Sequence, residues 1–153
     1  MKKIYLMIAL MALSFSSAVF AQNVGSPALV AYYGMKDALV AGNSAKAAES
    51  AETLVKSLNV ENKLTEAEKG SLTKSAGLIA RSNDLKVQRE TFAPLSTQVI
   101  DLVKKKSIAA DESYVQYCPM KKASWLSSET AIKNPYYGSA MLTCGSVKET
   151  LKK

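Results

Sequence analysis

Apolar residues recur at spacings of three and four over residues 27–106, which is the period of an amphipathic helix. Ser26 followed by Pro27 is typical of a helix start, because serine caps the first turn and proline fits its first position. Gly42 and the asparagine after it indicate the end of this first helix. A second, alanine-rich helix is predicted from Ser44 onward.

Capping signals predict two further helices. Thr65 and Glu68 have the spacing of a capping box, in which each side chain accepts a hydrogen bond from the other residue's backbone N–H. Asn83 or Asp84 is expected to cap a fourth helix, and Pro94 to kink or split it, because proline lacks the backbone donor. Four amphipathic helices joined by short turns favour an antiparallel bundle.

The pattern changes after Ala110. Pro119 and Pro135 prevent a continuous helix, and the "NPYYG" segment, which ends at Gly138, is typical of a turn. We therefore expect residues 111–153 to form a loop-rich C-terminal cap that carries both cysteines. The predicted fold class is all-α: an antiparallel four-helix bundle with this cap packed on one end.

The amino terminus has the pattern of a secretory signal peptide. Two lysines precede a mostly apolar run at residues 4–19, and Ala21 is a small residue suited to cleavage. We expect a signal peptide at residues 1–21 and one exported domain at residues 22–153, located in the periplasm or secreted. An uncleaved membrane anchor is the alternative for the apolar run. No second run of that length follows, so we expect no stable membrane insertion after cleavage.

The charge and the catalytic inventory exclude several functions. The formal net charge is +7, but the basic residues are scattered among acidic ones, and the lysine run at residues 104–106 suits the end of a helix. We therefore expect no nucleic-acid partner. The sequence has no histidine, which removes the commonest general base and every imidazole metal ligand. It also lacks a glycine-rich phosphate loop, so we do not expect an enzyme.

The sulfur-containing side chains are the remaining candidates for a functional site. Cys118 and Met120 form a C-x-M pair, and Met141 and Cys144 form an M-x-x-C pair. Thiol and thioether ligands select soft ions such as Cu(I) or Ag(I). The alternative is a disulfide between Cys118 and Cys144, because two cysteines in an exported chain meet an oxidising compartment. The spacing leaves both interpretations open.

The segment at residues 117–145, together with the helical part that begins near "YYGMKDALV", resembles an uncharacterised periplasmic domain family. This family, common in Bacteroidetes, also occurs fused to adaptor proteins of copper and silver efflux systems. The "YCPM" sequence is similar to the start of the adaptors' heavy-metal motif, in which a histidine follows methionine; Lys121 takes that position here. The resemblance implies metal handling with an envelope efflux or adaptor protein as partner.

Four residues between the sulfur pairs are expected to support them rather than bind metal: Trp125, Asn134, Tyr136 and Tyr137. Trp125 is predicted to be buried, because it is the only tryptophan and lies in an apolar stretch. We thus expect a monomeric, non-catalytic protein that buffers or delivers Cu(I) or Ag(I). The alternative is a disulfide-stabilised structural or protein-interaction module without metal.

Overall fold

A computed structural model describes residues 25–108 and 110–152 and shows a mixed α and β fold. The elements are, in chain order, α1 (Pro27–Val40), α2 (Ser44–Leu58), α3 (Glu66–Ala80), α4 (Leu85–Lys104), β1 (Ser113–Cys118), β2 (Ala123–Ser127), a 3-10 helix (Gly138–Met141) and β3 (Ser146–Leu151). The signal peptide predicted at residues 1–21 lies outside the described residues. Within the described ranges, no helix combines the length and the apolar character needed to cross a membrane.

The helices begin where the capping signals predict. Ser26 accepts a hydrogen bond in the first turn of α1. Helix α2 begins at Ser44 as predicted, but its cap is Asn43, which was expected only to end α1. Thr65 and Glu68 form the complete capping box of α3, and Asp84 caps α4 through two backbone N–H groups. Each helix packs mainly against the next one along the chain. These four starts confirm the helical part of the prediction.

Helix α4 runs without interruption through Pro94, so the predicted split does not occur. Proline removes only one backbone donor from this long helix. Phe92 and Leu95, on either side of Pro94, are fully buried in the core. Their burial holds this part of α4 in place despite the missing hydrogen bond.

The C-terminal region is a three-stranded antiparallel sheet, so the predicted all-α class with a loop-rich cap is wrong. The strand order is β2, β1, β3. β1 and β2 form a hairpin in which Cys118 pairs with Ala123, and residues 119–122 make the turn. β1 also pairs with β3, with an irregularity between Val115 and Gln116.

The sequence contains little sign of this sheet because β3 has no buried face. Residues 146–150 are all exposed, and only Leu151 at the end of the strand is half-buried. An alternation of buried and exposed side chains, which is the usual strand signal, is therefore absent. The hairpin turn is also unusual, because Lys122 adopts a positive φ of 54° without being glycine.

Tyr32 of α1 joins the helices to the sheet. Its hydroxyl lies 2.6 Å from the Ser96 Oγ of α4 and accepts a hydrogen bond of 3.0 Å from the Leu126 N–H of β2. The Tyr32 ring also stacks on Phe92 at a centroid distance of 5.3 Å. Helices and sheet therefore share one continuous core, and β2 packs directly on α4.

Candidate metal centre

The sheet brings the two cysteines together. Cys118 is the last residue of β1, and Cys144 lies between the 3-10 helix and β3. Their Sγ atoms are 3.6 Å apart, and both cysteines are free thiols. Cys118 is fully buried, whereas Cys144 is half-buried. The pairing of β1 with β3 thus creates a dithiol from residues that are distant in the sequence.

The two thiols have different electrostatic surroundings. Burial raises the pKa of Cys118, but hydrogen bonds from the Lys121 N–H, Asn134, Cys144 and the Met120 N–H outweigh it, so the net pKa is lowered. The Lys121 N–H lies 3.4 Å from the Cys118 Sγ. The pKa of Cys144 is raised, first because its thiol donates to Cys118, then by burial and by the charge on Cys118. The pair therefore loses its first proton as a unit, with the negative charge centred on Cys118.

Asn134 holds the loop that carries Cys144. Its side-chain amide donates a hydrogen bond of 2.7 Å to the Cys144 carbonyl oxygen and also helps to lower the pKa of the Cys118 thiol. Its Oδ1 accepts a hydrogen bond of 2.9 Å from the Tyr136 N–H. Asn134 is completely buried, so these bonds are shielded from water. The side chain thereby fixes the position of one cysteine relative to the other.

The two methionines adjoin the dithiol along the backbone. Met120 lies in the hairpin turn directly after Cys118, and its side chain is 64% exposed. Met141 ends the 3-10 helix, where its carbonyl oxygen accepts a hydrogen bond of 3.1 Å from the Cys144 N–H. Its side chain is half-buried. Met120 is therefore free to change rotamer, whereas Met141 is more restricted.

Aromatic side chains pack beside the dithiol. Trp125 is fully buried, which confirms that prediction, and its ring meets Tyr136 edge-on at 5.9 Å. The Tyr136 hydroxyl donates a hydrogen bond of 2.6 Å to the Ser124 carbonyl oxygen, and burial raises the pKa of this tyrosine. Tyr137 is only half-buried and precedes the 3-10 helix. Trp125 and Tyr136 thus form an apolar support, while Tyr137 lies nearer the surface.

Gly145 was not identified from the sequence, although it follows Cys144 directly. Its φ is 150°, and a Cβ atom there would lie 2.9 Å from both the Trp125 ring and the Tyr117 carbonyl oxygen. Only glycine lets the chain pass this close to β1. The "CG" dipeptide was the available signal, but it has this meaning only once β3 is paired with β1.

The donor set suits a soft ion better than a hard one. Among residues 25–108 and 110–152, no three His, Cys, Asp or Glu side chains form a cluster that could hold a metal. Two sulfurs bound to one ion at about 2.3 Å with a near-tetrahedral angle lie about 3.8 Å apart. The observed 3.6 Å between Cys118 and Cys144 is the length of a hydrogen bond between two thiols, and a shift of about 0.2 Å would bring the sulfurs to that value.

One comparison with known proteins gives a match. The profile of a family described as "Protein of unknown function (DUF3347)" matches residues 28–111. No curated protein and no solved structure matches the chain. The matched segment spans more than half of the chain and ends before β1, so both cysteines lie beyond it. By this match, the chain belongs to the DUF3347 family of proteins of unknown function.

Proposed function

We propose that this protein is an exported, non-catalytic carrier of Cu(I) or Ag(I) that buffers the ion or delivers it to an envelope efflux or adaptor protein. The observation that carries this proposal is the 3.6 Å separation of two unbridged cysteine sulfurs, each close in sequence to a methionine. The ion is cargo in this proposal and takes part in no reaction. The resemblance of residues 117–145 to proteins associated with efflux adaptors supports the choice of partner.

The thiolates supply most of the expected affinity. Metal binding displaces thiol protons, and the backbone donors around Cys118 already favour its deprotonated form. Met120 and Met141 then add neutral thioethers, which favour soft monovalent ions. Met120 is exposed and can turn toward the ion or toward a receiving protein. Such a ligand set allows the ion to be bound and passed on.

Competition for Cu(I) against a moderate-affinity chromogenic chelator tests this function. The reduced protein is expected to remove one equivalent of Cu(I) from the chelator, and the double variant Cys118→Ser/Cys144→Ser to remove none. Met120→Leu and Met141→Leu keep volume and apolarity but remove sulfur, so each is expected to weaken binding with little loss of stability. The proposal is wrong if reduced wild-type protein does not compete, or if the double methionine variant binds as tightly as wild type.

The second candidate is a protein-interaction module pinned by a disulfide between Cys118 and Cys144. The same proximity of the two sulfurs favours it, and closing a loop of 26 residues would stabilise the fold by about 3 kcal/mol. Free-thiol titration of protein isolated under non-reducing conditions separates the two candidates. Two free thiols and bound copper favour the carrier, whereas a permanent disulfide that resists mild reductants favours the module.

A further inference from the structure

The two sulfurs of the dithiol differ in access. Cys118 is fully buried at the end of β1, while Cys144 is half-buried in the loop before β3. Cys144 is therefore the cysteine that an external reagent is expected to reach first. The buried sulfur is nevertheless 3.6 Å from the accessible one and is surrounded by hydrogen-bond donors. This is the arrangement of an accessible thiol backed by a resolving thiol.

We propose that the dithiol is a thiol–disulfide exchange site, in which Cys144 reacts with a low-molecular-weight disulfide and Cys118 then displaces the adduct. The product is a reversible Cys118 to Cys144 disulfide that switches off metal binding. The loss of metal binding on oxidation rests on the proposed function, whereas the thiol–disulfide exchange itself does not.

The exchange is balanced in two steps. In the first, Cys144 passes its proton to the neighbouring Cys118 thiolate, and the resulting Cys144 thiolate attacks one sulfur of the external disulfide; a mixed disulfide forms, the external S–S bond breaks, and the first small thiolate leaves and takes up the proton from Cys118. In the second, the Cys118 thiolate attacks the Cys144 sulfur, and the second small thiol leaves as a thiolate that carries the charge. The two protein sulfurs lose two electrons, and the external disulfide gains them.

The local geometry permits the second step with little movement. The sulfurs must approach by about 1.5 Å to reach the length of a disulfide bond. Cys118 lies in a paired strand, and its sulfur accepts a hydrogen bond of 3.4 Å from the Lys121 N–H. Cys144 lies in a loop, so its side chain is the one expected to move. The backbone next to it is constrained by Gly145, which packs against β1.

Glutathione disulfide is the probe that tests the order of events. The metal-free, reduced protein is incubated with it, quenched with acid and analysed by intact mass. Wild type is expected to lose two hydrogen atoms without accumulating an adduct. Cys118→Ser is expected to retain one glutathione on Cys144, at a rate at least about tenfold above that of Cys144→Ser. Cys144→Ser should form its adduct rapidly only after unfolding in urea.

Three outcomes would overturn the exchange site: a persistent glutathione adduct on wild type, no reaction of wild type, or equal adduct rates in the two folded serine variants. Circular dichroism confirms that each variant is folded before its rate is compared. Cu(I) competition is then measured on the reduced and the oxidised wild type. If the reduced protein does not bind Cu(I), the carrier function fails while the exchange result stands. If the oxidised protein binds as tightly as the reduced protein, the switch is wrong.

Discussion

At the residue scale, Asn134 controls the chemistry of the dithiol more directly than the aromatic residues do. Its one buried side chain hydrogen-bonds the backbone of Cys144 and of Tyr136, and it helps to lower the pKa of the Cys118 thiol. The bond to Tyr136 is buried and the bond to Cys144 is partly buried, so losing the amide leaves unsatisfied partners behind. Trp125 and Tyr136 contribute mainly through packing.

Asn134→Ala is expected to lower the free energy of unfolding by about 2–3 kcal/mol, because buried hydrogen-bonding groups lose their partners. It is also expected to raise the pKa of Cys118, since a donor that stabilises the thiolate is removed. Ultraviolet absorbance of the thiolate against pH, in a Cys144→Ser background, measures this pKa. Exposed Ser139→Ala is the matched control in the same segment. An unchanged titration midpoint would contradict the role given to Asn134.

At the element scale, β3 is placed by backbone pairing and by one glycine. Its side chains are nearly all exposed, so hydrophobic burial contributes little to its position. Gly145 allows the chain to lie against the Tyr117 carbonyl oxygen and the Trp125 ring just before β3 begins. The position of Cys144 therefore depends on the start of this strand.

Gly145→Ala is expected to destabilise the protein by about 1–3 kcal/mol, because the added Cβ overlaps β1 and the backbone keeps a conformation unfavourable for alanine. It should also slow disulfide formation between the cysteines by moving Cys144. Gly70→Ala is the control: the new Cβ there meets no described atom within 4 Å, and alanine favours an exposed helix by about 1 kcal/mol. Urea denaturation measures the free energy of unfolding of both variants. Equal stability changes in the two variants would refute the packing argument.

At the scale of the whole molecule, the helices and the sheet are coupled through Tyr32. Its hydroxyl contacts Ser96 of α4 and Leu126 of β2, and the aromatic rings of Tyr32, Phe92, Tyr136 and Trp125 follow one another through the core. The family match ends before the sheet, but the hydrophobic core continues from the helices into the sheet. We therefore expect one cooperative unfolding unit.

Tyr32→Phe is expected to lower the free energy of unfolding by about 1–3 kcal/mol, because the Ser96 hydroxyl and the Leu126 N–H lose a buried partner. Trp125 fluorescence reports on the sheet, and far-ultraviolet circular dichroism reports mainly on the helices. The urea concentrations at the midpoints of the fluorescence and dichroism transitions should both fall, and by the same amount. Tyr117→Phe is the control, since that hydroxyl makes no hydrogen bond to a described residue. A lower fluorescence midpoint with an unchanged dichroism midpoint would show that the sheet unfolds separately.

The helices can be predicted from the sequence, because their starts depend on residues two to four positions apart. Ser26, Thr65 with Glu68, and Asp84 satisfy backbone donors within their own first turns. The sequence also identified the cysteines and methionines as the candidate ligands, and it predicted the burial of Trp125. These features depend on composition and local spacing, so they can be predicted without knowing any long-range contact.

Only the folded chain shows that Cys118 and Cys144 meet as free thiols on a sheet, with Cys118 buried and Cys144 half-buried. The two cysteines meet because β1 pairs with β3. Between these strands in the sequence lie β2 and the loop that contains Asn134. Because β3 is exposed, its pairing with β1 depends on backbone hydrogen bonds, which place no periodic pattern on the β3 side chains. The same is true of Gly145, whose small size matters only because another strand passes within contact distance.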